Sequence, residues 1–366
     1  MMTKYILTIL SLLLITISNT IGAEKLNVDH IIEGFIDNIG GLENIKAIQN
    51  LTYSGGTYHE ESFSSDGDAT MTLGRPYYKL VGNKNNLDRY MEGYDGSAWE
   101  YYSNEGIILR TDGAPSEAIR HYAGVEHPLV GYRLKGSNAE LLDDIDFEGQ
   151  KVHIIKLTRM DGYIEYFYID PLTYELKASS STAPFHAFGE SILQITKISD
   201  YREVAGVKIG HRFQSVTLPN EKVLSSMQWG KVEANKELPD NLFSPPDIET
   251  TLLQEFASKL YEQRSDLNSV LWTYHSFRHA YPNYDTCYMS NFVGFQMLKM
   301  KKSDTAIELL KQNTQDYPEC SEAYFELGRA YVSINSISLA RENYKKSVKI
   351  DPENERAKTA LLTINN

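Results

Sequence analysis

The spacing of hydrophobic positions divides the chain into three consecutive patterns. Apolar residues recur at helical spacing over 27–49, at every second position over 51–237, and at helical spacing again after the proline-rich segment 239–246. A period of 3.6 residues indicates amphipathic helices, and a period of two indicates strands with one buried face. We therefore predict a helix, interrupted by Gly40-Gly41, then a large sheet, and then a helical region.

Two Asp-Gly pairs, Asp95-Gly96 and Asp161-Gly162, lie between strand-like segments. A type I′ turn needs positive φ at both central residues, so Asp-Gly is a strong hairpin signal. A succession of hairpins makes the sheet antiparallel. We expect the first hairpin to bring Tyr90, Tyr94 and Trp99 onto one patch of the sheet.

Two segments depart from the strand pattern. Pro115 suits the start of a helix, and we predict a helical insert over 115–134 that would cover the sheet as a lid. The segment 62–69 is rich in Ser, Asp and Gly and is predicted to be a solvated turn.

The strand predicted over 163–169 is apolar or aromatic on both faces. The two sets are Ile164, Tyr166 and Tyr168 on one face, and Tyr163, Phe167 and Ile169 on the other. A strand of this kind is covered on both sides. Either helices cover both faces, or one covered face lines a ligand cavity, and the pattern leaves both interpretations open.

The helical region repeats with a period of 34 residues. Gly294 and Gly328, Ala306 and Ala340, and Pro318 and Pro352 are each separated by that interval. This is the length of a tetratricopeptide repeat, in which small residues let two helices approach and proline ends the second helix. We predict clear repeats at about 287–320 and 321–354, preceded by a degenerate helical hairpin over 252–281.

Charge is distributed unevenly. The formal net charge is −13, whereas 249–366 contains 14 basic and 15 acidic residues, so nearly all of the negative charge lies before the repeats. An acidic domain is repelled by phosphate backbones. We therefore do not expect nucleic acid as a partner.

The N-terminus has the pattern of an export signal. Lys4 precedes the apolar run 5–17, and Ala23 offers a small residue at a cleavage point. The alternative is a retained membrane anchor. We expect a periplasmic or secreted protein that is not an integral membrane protein after cleavage. The predicted domains are 1–23, a signal peptide; 24–248, the sheet domain; and 249–366, the helical repeats.

The chain has two cysteines, Cys287 and Cys320. An exported protein can form disulfides. However, the two residues occupy nearly equivalent places in adjacent repeats, about a helix diameter apart, so a bridge would require local bending. The sequence leaves their pairing open.

Signatures of catalysis and metal binding are missing from the sequence. It has no Gly-x-Ser-x-Gly, Ser-x-x-Lys, His-Glu-x-x-His, Cys-x-x-Cys or glycine-rich phosphate loop. His275 and His279 lie four apart on a predicted helix, but without a third ligand they are better explained as solvent-facing. The acidic segment 143–146 fits a hairpin edge as well as a cation site. We expect no enzymatic activity, no cofactor and no metal.

Several turn motifs resemble the periplasmic lipoprotein-carrier (LolA/LolB-like) superfamily of bacteria. They are Tyr94-Asp95-Gly96-x-x-Trp99, Tyr168-Ile169-Asp170-Pro171-Leu172-Thr173 and Asp200-Tyr201-Arg202-x-x-x-Gly206-Val207. The resemblance covers about 26–243 and implies an antiparallel half-barrel, closed by helices, with an apolar cavity for acyl chains or another amphiphile. Arg75 and Arg89 are the two candidates for the arginine with which some carriers hold the lid closed.

The predicted fold class is α+β, an antiparallel half-barrel with covering helices, followed by an all-α tetratricopeptide-type domain. The resemblance implies a non-catalytic exported protein that binds a lipid, acyl chain or lipoprotein. We expect that ligand to contact Tyr90, Trp99, Ile154, Tyr166 and Tyr168, and a protein partner to bind the groove of the repeats. The alternative is a repeat-based interaction scaffold of the cell envelope whose sheet is a filled structural core.

Overall fold

The computed structural model describes residues 27–60, 65–84, 87–184 and 191–364. The predicted signal peptide, 1–23, lies outside the described residues. Within these ranges, no helix combines the length and the apolar character needed to cross a bilayer.

The described ranges contain ten helices and fourteen strands. The helices are α1 (Val28–Asn38), α2 (Leu42–Ala47), α3 (Gly113–Tyr122), α4 (Leu252–Glu262), α5 (Leu267–Ala280), α6 (Cys287–Lys299), α7 (Ser303–Asp316), α8 (Ser321–Ser333), α9 (Ile337–Ile350) and α10 (Glu355–Thr363). The strands are β1 (Leu51–Glu60), β2 (Ser65–Leu73), β3 (Tyr78–Lys84), β4 (Leu87–Tyr94), β5 (Ala98–Tyr102), β6 (Ile107–Arg110), β7 (Asn138–Phe147), β8 (Gln150–Thr158), β9 (Ile164–Ile169), β10 (Leu176–Pro184), β11 (Ser191–Val204), β12 (Val207–Thr217), β13 (Val223–Gln228) and β14 (Lys231–Ala234).

All fourteen strands belong to one sheet. Their order is β6-β5-β4-β3-β2-β1-β13-β12-β11-β10-β9-β8-β7, and β14 also pairs with β1. Most neighbours in the sheet are neighbours in the chain because hairpin turns, including both Asp-Gly turns, join them. The path ends at β6 and β7, so the sheet is open. The predicted fold class, an antiparallel half-barrel followed by tetratricopeptide-type helices, is confirmed.

One face of the sheet, here called the inner face, is covered by α1, α2 and α3. Phe35 of α1 belongs to the same buried cluster as Phe167 and Ile155 of the sheet. Ile119 of α3 packs against Tyr78 on strand β3. The predicted insert is helical only in its first part, since 123–137 has no regular helix or strand. The opposite face is called the outer face.

The predicted solvated turn over 62–69 is partly wrong. Residues from Ser65 onward form β2, which pairs with both β1 and β3. Ala69, Met71 and Leu73 supply an alternating apolar set. Ser, Asp and Gly have low strand propensity, so the composition of this segment predicted a turn. The strand forms nevertheless, because pairing with β1 and β3 supplies backbone hydrogen bonds on both sides.

The repeats pack as the 34-residue period predicts. A Cβ atom on Gly294 would lie 2.7 Å from the Leu310 side chain, and one on Gly328 would lie 2.5 Å from the Tyr344 ring. A larger side chain at either glycine would push the two helices of its hairpin apart. The hairpin predicted before these repeats is formed by α4 and α5.

The sheet and the repeats share a core. Tyr102, Ile107 and Leu109 from strands β5 and β6 form one buried cluster with residues of α4 to α7. Tyr261 of α4 donates a 2.7 Å hydrogen bond to the carbonyl oxygen of Arg110 at the end of β6. The first repeat hairpin therefore covers this edge of the sheet.

Cys287 and Cys320 form a disulfide, with their Cα atoms 7.2 Å apart. It joins the first residue of α6 to the residue preceding α8. The pairing that the sequence left open is therefore present in the structure.

Candidate functional site

Two adjoining cavities lie on the inner face of the sheet. The large cavity has a volume of about 1150 Å³ and the small cavity about 570 Å³. Sites for small molecules typically measure about 300–1000 Å³. His121, Tyr122, Ile198 and Phe213 line both cavities, so the two meet at the C-terminal end of α3.

Apolar residues of the N-terminal helices and the sheet line much of the small cavity. They include Phe35, Ile39, Ile45, Ile48, Leu51, Leu176 and Val207. Phe35 and Ile45 lie on the amphipathic stripes of α1 and α2, which face the sheet, and Ile39 and Ile48 directly follow these helices. This arrangement suits an aliphatic or aromatic group.

Arg75 fixes the position of α2 beside the small cavity. Its guanidinium donates 2.8 Å hydrogen bonds to the carbonyl oxygens of Ile45 and Ile48 and a 3.1 Å bond to Glu126. It thereby ties the end of α2 to the irregular segment after α3. The other candidate from the sequence, Arg89, has a side chain outside the described ones.

Both carboxylates that line the small cavity, among its described residues, are paired with cations. Arg75 and Lys135 both pair with Glu126, at 3.1 and 2.7 Å, and Arg120 pairs with Asp161. His127 lies between the rings of Phe35 and Phe167, with centroids 4.6 and 5.0 Å away. Burial lowers the pKa of His127 to about 3, with Lys135 and Arg159 adding to the shift. The imidazole is therefore neutral at neutral pH.

The large cavity has one wall from the sheet and one wall from the repeats. Strands β1–β5 and β9–β13 form the first wall, and α6, α8 and α10 form the second. Tyrosine rings and serine hydroxyls are common among its described lining residues. The charged ones are Glu92, Glu100, Glu105, Glu165, Glu322, Glu326 and Arg356.

Several of these carboxylates already face a cation. Glu165 accepts a 2.6 Å hydrogen bond from Arg159, and Arg356 pairs with both Glu322 and Glu326. Lys299 lies close enough to Glu100 for electrostatic attraction. Burial lowers the pKa of Lys299 to about 7, while Glu100 acts in the opposite direction.

Glu92 is a buried carboxylate held by tyrosines. Glu92 is only 7% exposed. Tyr78 donates a 2.6 Å hydrogen bond to Oε1, and Tyr90 donates to Oε2. Burial, with a further contribution from Glu92, raises the pKa of Tyr78 well above its usual value, so the phenol remains a donor. No Lys, Arg or His nitrogen of the described residues lies within 4 Å of this carboxylate.

The strand register places a second carboxylate directly opposite Glu92. Glu92 and Glu100 are partners across β4 and β5 on the inner face, and Glu100 is 2% exposed. Like charges directly opposite each other destabilise a sheet, and buried carboxylates need compensating partners. This part of the wall therefore favours a positive charge.

His121 lies where the two cavities meet. Its ring stacks on Tyr163 with centroids 3.9 Å apart, and Nε2 is 2.8 Å from the Asp161 carboxylate. Burial lowers the pKa of the His121 imidazole, although Asp161 opposes this. In the neutral ring Nε2 donates to Asp161, so Nδ1 is an acceptor. Nδ1 is buried and has no hydrogen-bond partner within the described ranges.

Glu117, His121 and Asp161 bring three potential metal ligands within 4.8 Å of one another. Arg120, however, donates to both carboxylates. Its guanidinium already supplies the positive charge that a metal ion would bring. We therefore interpret this group as an ion-pair network.

Of the five residues predicted to contact a ligand, Tyr90 lines the large cavity. Trp99 does not, which corrects the expected patch of Tyr90, Tyr94 and Trp99. It pairs with Gly93 on the outer face, is fully buried, and donates a 2.8 Å hydrogen bond from Nε1 to the carbonyl oxygen of Phe243. Adjacent residues of a strand point to opposite faces, so Trp99 lies on the face opposite to that of Glu100.

Ile154, Tyr166 and Tyr168 also lie on the outer face. Ile154 is the partner of Tyr168, whereas the neighbouring pair, Ile155 and Phe167, packs on the inner face under α1. The prediction chose the wrong face because this strand is apolar on both sides. The contact role of Tyr90 stays a prediction.

Glu92, Glu100 and His121 were not among the residues predicted from the sequence. A signal was available in the run Tyr90-Met-Glu92-Gly-Tyr94, where a glutamate occupies the same face as two tyrosines. A carboxylate on the aromatic face of a strand is unusual enough to mark a site. That Glu92 lies directly opposite Glu100, however, is shown only by the register of strands β4 and β5.

No family model and no curated protein matches the chain. Among solved structures, a putative outer-membrane lipoprotein-sorting protein domain from Vibrio parahaemolyticus has 12% identity and a TM-score of 0.42, over 60% of this chain and 97% of that one. A LolA-superfamily protein from Nitrosomonas europaea has 10% identity and a TM-score of 0.40, over 60% of this chain and 98% of that one.

The repeats match a separate group of solved structures. The tetratricopeptide domain of Sgt2 from Aspergillus fumigatus has 18% identity and a TM-score of 0.25, over 32% of this chain and 78% of that one. The first such domain of human RPAP3 has 18% identity and a TM-score of 0.25, over 31% and 87% of the two chains. All of these are distant similarities of fold, so we base the functional proposal on the cavities themselves.

Proposed function

We propose that this chain is a non-catalytic binding protein that holds an amphiphilic small molecule, such as a lipid or acyl compound, against the inner face of its sheet. The observation that carries this proposal is the adjoining pair of cavities. Apolar side chains line much of both cavities, and the charged groups are of both signs in the small one and mainly carboxylates in the large one. A molecule with an apolar body and a polar group at one end matches these linings.

Burial of the apolar end would supply most of the affinity. Each methylene group transferred from water to an apolar site contributes about 0.8 kcal/mol. The polar end would contribute mainly orientation and specificity, because polar groups exchange hydrogen bonds with water for those in the site. Burial of the apolar surface of the ligand is sufficient to explain binding, which requires no catalytic group.

The alternative proposal is a scaffold that recruits an envelope protein through its repeats, with the sheet as a filled core. The two cavities on the inner face argue against a filled core. In addition, α6, α8 and α10 contribute lining residues to the large cavity, so this side of the repeat stack faces the sheet. We therefore rank partner recruitment by the repeats below ligand binding.

We further propose that the protein works in the bacterial cell envelope after export. This part of the proposal is supported by the N-terminal pattern over 1–23, which lies outside the described residues. The mass of the protein isolated from its native envelope tests it, since cleavage before Glu24 removes a defined mass.

The ligand proposal is tested with the neutral fluorescent probe N-phenyl-1-naphthylamine. The purified protein should bind it saturably. Ile209 lines the small cavity, so Ile209→Trp should fill part of that cavity and weaken binding at least fivefold. The volume-conserving Ile209→Leu should stay within twofold.

Tyr166→Ala serves as a control for the face of the sheet. Tyr166 lies on the outer face, so its truncation should leave probe affinity unchanged. If the folded protein binds neither this probe nor any decyl amphiphile, the proposed function is wrong. A loss of binding in Tyr166→Ala equal to that in Ile209→Trp would refute the assignment to the inner face.

A further inference from the structure

We infer that the polar end of the ligand is a primary ammonium group, received in the large cavity beside Glu92 and His121. This inference rests on the proposed function and names the chemical class of the ligand. It follows from the charge of the cavity, from the surroundings of Glu92 and from the orphaned acceptor on His121.

The charge of the large cavity is negative. Its described lining residues include six glutamates and one arginine. Neighbouring cations change the balance only in part. Arg159 offsets Glu165, Arg329 and Arg356 offset the glutamates of α8, and Lys299 attracts Glu100. On the sheet side, Glu92 and Glu105 keep the excess of negative charge.

Among the described glutamates of this lining, Glu92 and Glu105 accept side-chain hydrogen bonds from tyrosine hydroxyls and have no ion pair. Tyr78 and Tyr90 donate to Glu92, and Tyr288 donates to Glu105. Phenols supply hydrogen bonds but no positive charge. A carboxylate has about four acceptor sites, so the two bonds at Glu92 leave capacity for an ammonium N–H. The tyrosine rings around it are also attractive to cations.

His121 supplies an observation independent of the carboxylates. Its side chain is 4% exposed, and its buried Nδ1 is an acceptor without a partner among the described residues. An ammonium N–H is a suitable donor, whereas a carboxylate or phosphate oxygen is not. Because His121 lines both cavities, a donor there would be attached to an apolar group in the small cavity.

The basic groups nearest to His121 do not reverse this preference. Arg120 pairs with Glu117 and Asp161, and Arg159 pairs with Glu165. These pairs offset the two arginines only in part, because both still disfavour a positive charge on the His121 ring. The contrast with Glu92, which has no cationic partner in the described part of the chain, decides the sign of the ligand.

The experiment compares three headgroups on one chain length. Decylammonium, decanoate and decyl glucoside are used below their micelle concentrations to displace N-phenyl-1-naphthylamine from the purified protein at pH 7.5. Decylammonium should displace the probe at least tenfold more effectively than either of the others. A smaller ratio, or a preference for decanoate, overturns the inference while leaving the proposed function intact if the probe binds.

Two substitutions locate the effect. Glu92→Gln keeps the shape of the side chain and should reduce the affinity for decylammonium at least tenfold, with decyl glucoside unchanged within twofold. Glu140→Gln removes the same formal charge from an exposed site on β7 and should have no effect beyond twofold. Equal losses in both variants would mean that net charge, and not this site, selects the amine.

If Glu92→Gln does not fold, the headgroup series on the unmodified protein still decides the inference. Decyltrimethylammonium is tested as a fourth competitor, since it carries the positive charge but has no N–H donor. Binding as tight as that of decylammonium would overturn the role assigned to Nδ1 of His121.

Discussion

The two cavities share one sheet face and four lining residues, yet they handle charge in opposite ways. Around the small cavity, each lining carboxylate faces a cation: Arg75 and Lys135 share Glu126, and Arg120 pairs with Asp161. In the large cavity, among the described residues, Glu92 and Glu105 accept hydrogen bonds from tyrosine hydroxyls and have no cationic partner. The first arrangement leaves no carboxylate without a positive partner, whereas the second leaves negative charge for something else to compensate.

This difference distinguishes charged groups that are paired within the protein from charged groups that are available to a ligand. Ion pairs that are complete within the protein indicate a wall that holds its shape. Buried acceptors that lack a charge partner indicate a place where binding energy remains available. On the proposed function, the small cavity receives the apolar end of the ligand and the large cavity selects its polar group.

The largest effect is expected from removing an apolar wall of the small cavity. Phe35 is 2% exposed and packs against His127. Phe35→Ala should lower the free energy of unfolding by about 3–5 kcal/mol, because a buried ring is lost and a void remains. Urea unfolding measures this change.

The matched control for Phe35→Ala is Leu172→Ala. Leu172 is 89% exposed, so its truncation should change stability by less than about 0.5 kcal/mol. A comparable loss in both variants would show that the small cavity is not supported by α1.

The next effect concerns the repeat wall of the large cavity. Replacing Cys287 and Cys320 by serine opens the disulfide, and the loss of this cross-link should cost about 2–4 kcal/mol. Hydrogen exchange should accelerate in α6 to α8, while α1 and strands β8 and β9 stay protected. Faster exchange in α1 as well would mean that the two walls unfold as one unit and would weaken the distinction between the cavities.

The smallest effect is a pH dependence that belongs to the small cavity. The pKa of His127 in the folded protein is about 3, below the value of about 6.5 for an unfolded chain. The unfolded state therefore binds more protons between these values, and stability is lost as pH falls from 6.5 towards 3. The free energy of unfolding should change by at most about 1.4 kcal/mol per pH unit. Because the ring is partly exposed to the cavity, we expect a smaller slope.

Thermal unfolding between pH 7 and pH 4 tests this. His127→Phe removes the titrating group and should flatten the curve over this range, whatever its effect at pH 7. If the slopes of the two proteins coincide, His127 is not the group that couples the small cavity to pH.

The helical region was predictable nearly residue by residue. Its 34-residue period identified Gly294 and Gly328, and both lie where a side chain would separate two helices. Such positions follow from local spacing, which a sequence displays directly. The hairpin turns of the sheet were predictable for the same reason, since Asp-Gly acts within four residues.

The inner face was not predictable because it depends on strand parity. In β9, Phe167 and Tyr168 are both compatible with a core, and a shift of one residue exchanges the two faces. What fixes the parity is the position of α1, which packs on Phe167 from more than a hundred residues away in the chain. Likewise, the opposition of Glu92 and Glu100 depends on a register that propensity does not specify.

The covering of β6 by α4 has a consequence for the solubility of the chain. An uncovered edge strand offers its backbone to a second molecule and can seed aggregation. At the other end of the sheet, β7 carries Glu140, Asp143, Asp144 and Asp146, which repel a second copy. At β6, Ile107 and Leu109 are buried by the repeats instead. Truncation before α4 would therefore expose β6 to edge-to-edge pairing, so the repeats guard this edge whatever else they contact.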